Sequence, residues 1–233
     1  MKLDKKVFDK QGYIHIKDIV PSKVISPTRR IAINLKRDKI SELGKPREHG
    51  TGTYWRGIEM ASKLEEALFF TYIHPCMQQI VPVFLNTKTI YLFNDQVVVK
   101  LPKEDFSFPE HYDNQYGPDP EGALNNDFQT INFMMVLTNT TKESGALEIL
   151  NKETNQWDLI EAQAGDIIAI DGNTYHRSGI NTTDKPRALY ACVYSNKKLE
   201  FQKFYSQKWK FCNCKEIYNQ KLSEEENLLW EKV

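Results

Sequence analysis

His111, Asp113, His176 and Arg187 are the residues of this chain whose types and spacing suit chemistry. Two imidazoles and one carboxylate suit a single Fe(II) ion, held on one face with coordination positions left open. On a strand, residues i and i+2 share a face, so His111-Tyr112-Asp113 predicts two ligands side by side with Tyr112 turned away. Phe108-Pro109 just before them favours an extended approach. His176 follows the turn around Asp171-Gly172-Asn173 and is expected to reach the ion from across a sandwich. Either piece alone is weak, because H-x-D arises often by chance and a lone histidine is usually structural. Arg187 changes that balance. An arginine leading the apolar run Ala188 to Val193 is costly unless paired. Its planar fork matches a carboxylate through two parallel bonds, and Ser178 is spaced to donate to the same group. Together these residues imply an oxygenase that consumes a dicarboxylate keto acid to activate O₂.

Lys100 raises a related question. Gln96, Val98 and Lys100 share one face of the run Ile90 to Leu101, and Val97, Val99 and Leu101 share the other. If the first face lines the pocket, Lys100 is a second cation for the dicarboxylate; otherwise it faces water. Asn132 and Met134 likewise alternate with Ile131, Phe133 and Met135, and alternation alone does not say which set faces the cavity.

The elements that must position these residues fall into two textures. The first third is mostly helical. Val7 to Asp18 predicts an amphipathic segment, a turn at Gly12 and a strand over Tyr13 to Lys17. Ser26-Pro27 signals a helix start, with Gly44 as its stop after Leu43. Ile58 to Phe70 and Pro75 to Leu85 predict two more helices, the last bent or ended near Pro82. From Thr87 the chain turns β-branched and aromatic. Ile90 to Leu101, Gln129 to Thr138, Ala146 to Leu150, Asp166 to Ile170 and Arg187 to Ser195 predict short strands between Gly, Pro, Asn and Asp clusters. That pattern implies a sandwich or barrel. The expectation is one domain over residues 1–233. Within it, 1–86 form a helical support, 87–198 a β-core, and 199–233 an extension with a terminal helix over Ser223 to Trp230. The loops 44–56 and 114–126 are long enough to cover a pocket mouth.

Composition narrows the function classes. The 233 residues are 40% hydrophobic and 12% aromatic, enough for a substantial core. Lysine plus arginine equals aspartate plus glutamate at 31 each, which removes any global charge argument for nucleic acid or an anionic membrane. No apolar run approaches the ~20 residues that span a bilayer, and the N-terminus carries no apolar leader, so a cytoplasmic location is expected. The partner is expected to be a small molecule; the sequence sets no oligomeric state. Cys76, Cys192, Cys212 and Cys214 are expected to be buried or incidental thiols. Cys212-Asn213-Cys214 lacks the second pair that a zinc site needs.

With these residues in place, the chain resembles the phytanoyl-CoA dioxygenase family of Fe(II)- and 2-oxoglutarate-dependent oxygenases. Phe8 to Val20 resembles the family's opening, and His74-Pro75 its pre-barrel segment. Lys100-Leu101-Pro102 resembles a Lys-Pro-Pro element, with Leu101 a departure. Phe108 to Asp113 resembles the first metal-binding strand, Ser144-Gly145-Ala146-Leu147 a turn into the sheet, and Gly165-Asp166 the approach to the second histidine. The most specific segment is His176-Arg177-Ser178-Gly179-Ile180-Asn181 through Arg187, which follows a His-x-Ser-Gly-x-Asn pattern, a threonine and the arginine. The resemblance implies a mainly β fold, a double-stranded β-helix (jelly-roll, cupin-like) flanked by N-terminal helices. It implies His111, Asp113 and His176 as iron ligands. It implies Arg187 and Ser178, with Lys100 a weaker candidate, around the distal carboxylate of 2-oxoglutarate. An aromatic that some members place beside the cosubstrate falls near Met134 here.

The implied reaction uses O₂ and 2-oxoglutarate, releases succinate and CO₂, and hydroxylates a small molecule. Related iron halogenases replace the carboxylate ligand by a small residue; Asp113 is present, so oxygen insertion is expected rather than halogenation. A cupin-type metalloenzyme that does not use 2-oxoglutarate is a second reading, though its close-set histidines and glutamate are absent. A non-catalytic jelly-roll that binds a ligand is a third. Stoichiometric succinate formation separates the three.

Overall fold

The computed structural model describes residues 3–43, 57–59, 61–87, 90–115, 128–196 and 216–217. The loop 44–56, most of 114–126, Cys212, Cys214 and the expected terminal helix lie outside them.

The helical third begins with α1 (Lys5–Gln11), capped by the Asp4 carboxylate on the Val7 N–H and closed by Gly12 at φ 81°. β1 (Tyr13–Ile16) follows directly. α2 runs Ser22–Leu43, so it starts one turn earlier than Ser26-Pro27 predicts and carries Pro27 inside. The buried stripe Val24, Ile25, Thr28, Ala32 and Leu35 explains this, because its helical spacing continues through the proline. The expected helix over Ile58 to Phe70 is instead β2 (Ile58–Glu59), α3 (Ala61–Leu64) and α4 (Glu66–Tyr72). Ile58 pairs with Val97 on a neighbouring strand. Ser62 then donates its backbone N–H and hydroxyl to the buried Asp95 carboxylate at 2.8 and 2.7 Å, and Glu65 is extended. These local partners outweigh helix continuity. α5 (Pro75–Leu85) passes through Pro82 and ends on left-handed Asn86. Among the described residues no single helix is long and apolar enough to cross a membrane.

The β part consists of β3 (Ile90–Lys100), β4 (Phe108–His111), β5 (Thr130–Val136), β6 (Leu147–Asn151), β7 (Gln156–Ile160), β8 (Ile167–Asp171), β9 (His176–Ser178), β10 (Arg187–Ser195) and β11 (Glu216–Ile217). They form two antiparallel sheets. The larger runs β1-β8-β5-β10-β3-β11, with β2 also on β3; the smaller runs β4-β9-β6-β7. This is the double-stranded β-helix that the resemblance implies.

The central strands β3, β5, β8 and β10 of the large sheet serve two cores, which is why they read as continuous apolar runs. Val97, Val99, Ile131, Phe133, Met135, Tyr190, Cys192 and Tyr194 pack with the helices. Val98, Met134, Val136, Leu189 and Ala191 face the small sheet, with Leu147, Ile149 and Ile160. Burying each such side chain contributes about 1.5–3 kcal/mol before entropy is counted. The open question of faces is thereby answered: Gln96, Val98, Asn132 and Met134 line the space between the sheets. Cys76 and Cys192 are free and buried, as expected.

Candidate metal centre and anion pocket

His111 and His176 are neighbours on adjacent strands of the small sheet, paired directly across β4 and β9. They do not meet across the sandwich, as spacing alone predicts. β4 uses three steps from Phe108 to His111 where β9 uses two from Ser178 to His176, so a bulge lies around Pro109. The bulge turns the Pro109 carbonyl onto His111 Nδ1 at 2.8 Å. The Thr174 carbonyl lies 3.1 Å from His176 Nδ1. A carbonyl only accepts, so both Nδ1 atoms carry the proton and both Nε2 lone pairs are presented to the same point. Burial, and then the neighbouring His176, push the His111 pKa down to about 4, which keeps the imidazole neutral and available as a ligand.

Asp113 is not on the strand. It opens a short 3₁₀ turn, Asp113–Gln115, and reaches the histidines through that turn rather than by i,i+2 alternation. The turn is pinned by Asn114. Its backbone N–H donates to the Gly172 carbonyl at 2.9 Å. Its side chain accepts from Thr130 Oγ1 at 2.6 Å and donates to Asn173 Oδ1 at 2.9 Å. A β-carbon at Gly172 would fall 2.0 Å from Thr130 Oγ1, so only glycine allows this close approach. Asp113 Oδ1 lies 4.0 Å from His111 Nε2 and 3.7 Å from His176 Nε2. One donor atom from each residue lies within 4.8 Å of the other two. Two imidazoles tied through Nδ1 and one carboxylate fit a first-row divalent ion such as Fe(II). Tyr112 turns away, as expected, and meets Tyr175 edge-on at 5.0 Å.

The donor set opens into a cavity of about 420 Å³, part of it open to solvent. Phe108, Leu147, Val98 and Leu189 give it apolar walls, and Arg187 lies among its lining residues. Arg187 is 1% exposed. Its Nε and Nη2 both donate to the Gly145 carbonyl, at 3.1 and 2.5 Å, while Nη1 is buried without a hydrogen-bond partner. Burial lowers its pKa to about 9, so it stays charged at neutral pH. Gly145 supplies that carbonyl from a left-handed backbone at φ 77°.

Lys100 is the cross-strand partner of Arg187 and is fully buried. Its Nζ donates to Ser178 Oγ at 2.8 Å and to the Gly179 carbonyl. It lies behind Ser178, which lines the cavity, rather than on the wall itself. Burial, and then Arg187, push its pKa down to about 6. Asn181 organises this corner. Its amide donates to the carbonyls of Lys100, Leu101 and Lys185, and its Oδ1 accepts from Thr183. The His-x-Ser-Gly-x-Asn segment thus carries a pocket serine and the clamp that holds the following turn. Asn114 is a site residue that sequence reasoning missed, and Asn132, named there only in one of two sets that could face the cavity, was given no role.

A β-helix with a two-histidine, one-carboxylate cluster in its mouth defines the class of non-heme iron oxygenases. The family model described as phytanoyl-CoA dioxygenase matches residues 8–189, and the chain belongs to that family. Over 190 residues it is 22% identical to an uncharacterized protein of Mycobacterium tuberculosis, covering 76% of this chain and 68% of that one. Over 84 residues, 30% of this chain and 27% of the other, it is 38% identical to dioxygenase af480 of Aspergillus fumigatus. Its fold is similar to that of SnoK, a non-heme alpha-ketoglutarate-dependent carbocyclase of nogalamycin biosynthesis (TM-score 0.68, 17% identity, 84% of this chain and 83% of that one). It is also similar to EctD from S. alaskensis with bound Fe (TM-score 0.67, 17% identity, 82% and 74%).

Proposed function

We propose that this protein is an Fe(II)- and 2-oxoglutarate-dependent dioxygenase that hydroxylates a small molecule. In this reading 2-oxoglutarate, O₂ and a substrate C–H become succinate, CO₂ and an alcohol. The observation that carries it is a single cavity with the His111, Asp113 and His176 donor atoms at one end and the buried, uncompensated Arg187 at the other. His111, Asp113 and His176 would hold the iron, which when bound supplies O₂ activation coupled to oxidative decarboxylation of the keto acid. Arg187 Nη1 and the Ser178 hydroxyl orient the distal carboxylate. Because Lys100 already donates to Ser178 Oγ, the serine proton is free to point into the cavity. Phe108, Leu147 and Leu189 exclude water around the reacting atoms. The whole of 1–233 is taken as one domain built around this site.

The pocket also bears on the substrate. Gln96 Nε2 and Asn132 Oδ1 both belong to residues lining the cavity, and both are buried without partners. Polar side chains among the lining residues favour a substrate with a hydroxyl, amine or amide over a bare alkyl chain. Screening metabolites of that kind for succinate release, with product mass spectrometry under ¹⁸O₂ and chloride, tests the reading. One labelled oxygen in the product is expected. A product two hydrogens lighter and unlabelled shifts the outcome to desaturation or ring closure. A chlorinated product, or substrate turnover without succinate, overturns it.

A further inference from the structure

Asn132 stands in an apolar row of the large sheet, paired with Val193 on β10 and Ile170 on β8. It is 4% exposed. Its Nδ2 donates to Asp113 Oδ2 at 2.9 Å, and its Oδ1 has no hydrogen-bond partner. The orientation of the amide is set by chemistry, because an ionised carboxylate only accepts. An orphaned buried acceptor costs about 1–3 kcal/mol, and a leucine of the same branched shape would avoid that cost. Stability therefore does not explain an asparagine here.

Its effect on Asp113 does. That side chain is 24% exposed on a three-residue turn, and its hydrogen bond within the protein, among the described residues, is the one from Asn132. With Oδ2 tied, Oδ1 is the oxygen that faces both Nε2 atoms. We propose that Asn132 is a positioning residue that fixes Asp113 as a one-oxygen ligand. The proposal rests on the metal reading above. Without the tie the carboxylate turns freely on its short turn, and ordering one oxygen on the ion then costs metal affinity.

Ni(II) binding to the full chain, followed by calorimetry, tests this without turnover. Ni(II) binds such ligands more tightly than Fe(II), so weakened sites stay measurable. Asn132→Leu is expected to lower Ni(II) affinity about 10- to 100-fold, while the metal-free melting temperature holds or rises. Asn132→Ala, which adds no bulk, should move affinity the same way. In an Asp113→Ala background, Asn132→Leu should change affinity by less than about 2-fold, because its route of action is gone. Full additivity of the two losses, or unchanged affinity in Asn132→Leu while Asp113→Ala binds weakly, overturns the proposal alone. Unchanged affinity in Asp113→Ala removes the metal reading beneath it.

Discussion

The two ends of the cavity are built on opposite principles. At the metal end each side chain is steadied through an atom that ligation does not need: both Nδ1 atoms face carbonyls, and Asp113 Oδ2 is held by Asn132. At the anion end the buried Arg187 and Lys100 are cross-strand partners, and the Arg187 guanidinium has no acidic partner among the described residues. Groups tied by such hydrogen bonds can be pre-arranged at little cost. Buried positive charge is held at a cost that only an incoming anion offsets. The metal end is thus shaped before its ligand arrives, and the anion end is completed by its ligand.

Substitutions of the three donors should produce the largest effect. His111→Ala, Asp113→Ala or His176→Ala is expected to reduce Fe(II) binding and turnover severely, with far-ultraviolet circular dichroism unchanged. Metal titration checks it, and unchanged binding in all three would sink the assignment. Arg187→Met comes next and separates the two ends. It should raise the apparent KM for 2-oxoglutarate by roughly 30-fold or more, the low end of the 2–5 kcal/mol that follows loss of one partner from a buried charged pair. Metal affinity in the absence of 2-oxoglutarate should stay as in the parent. Intact 2-oxoglutarate binding by calorimetry would make the arginine structural.

Lys100→Met should act in opposite directions on stability and binding. Burial first, and Arg187 second, move the Lys100 pKa from its ordinary 10.5 to about 6. Between these values the unfolded chain holds a proton that the folded chain lacks, so stability rises with pH across that window, by up to about 1.4 kcal/mol per pH unit. The methionine variant should lose this dependence and melt at a higher temperature at neutral pH. Its affinity for 2-oxoglutarate should fall less than that of Arg187→Met, because Lys100 reaches the cavity through Ser178. Melting curves from pH 6 to 9 check the first half. A parent-like pH dependence in the variant would assign the effect to another group.

Much of this contrast was legible in the chain, for identifiable reasons. The long strands β3, β5 and β10 are apolar and β-branched because both their faces are buried, and the donor set and Arg187 stand out by type and spacing. Which face of β3 and β5 meets the cavity was not legible, because alternation defines two sets and only the helices packed on one side choose between them. The pairing of His111 with His176 was hidden for a different reason. β4 and β9 are four and three residues long and carry no periodic signal. The Asp113 turn depends on Thr130, Gly172 and Asn173, which are distant in sequence. The helix expected from Ile58 failed because Asp95, far along the chain, supplies partners for Ser62.

The smallest expected effect is that of Ser178→Ala. The serine touches both sides of the anion end: Lys100 Nζ donates to its oxygen, and its hydroxyl proton is left for the cavity. Removing it deletes one hydrogen bond from a hydroxyl to the carboxylate, worth about 1.5–3 kcal/mol, or roughly 13- to 160-fold in affinity. It also leaves Lys100 on the Gly179 carbonyl alone, which frees an amine N–H to turn toward the ligand. That compensation predicts a loss near the lower bound in the parent background. In a Lys100→Met background the donor is missing, so the same substitution should cost the full amount. Calorimetry of 2-oxoglutarate binding to the two single variants and the double variant measures the coupling. A Ser178→Ala loss as large as that of Arg187→Met would mean that the hydroxyl, and not the guanidinium, anchors the cosubstrate.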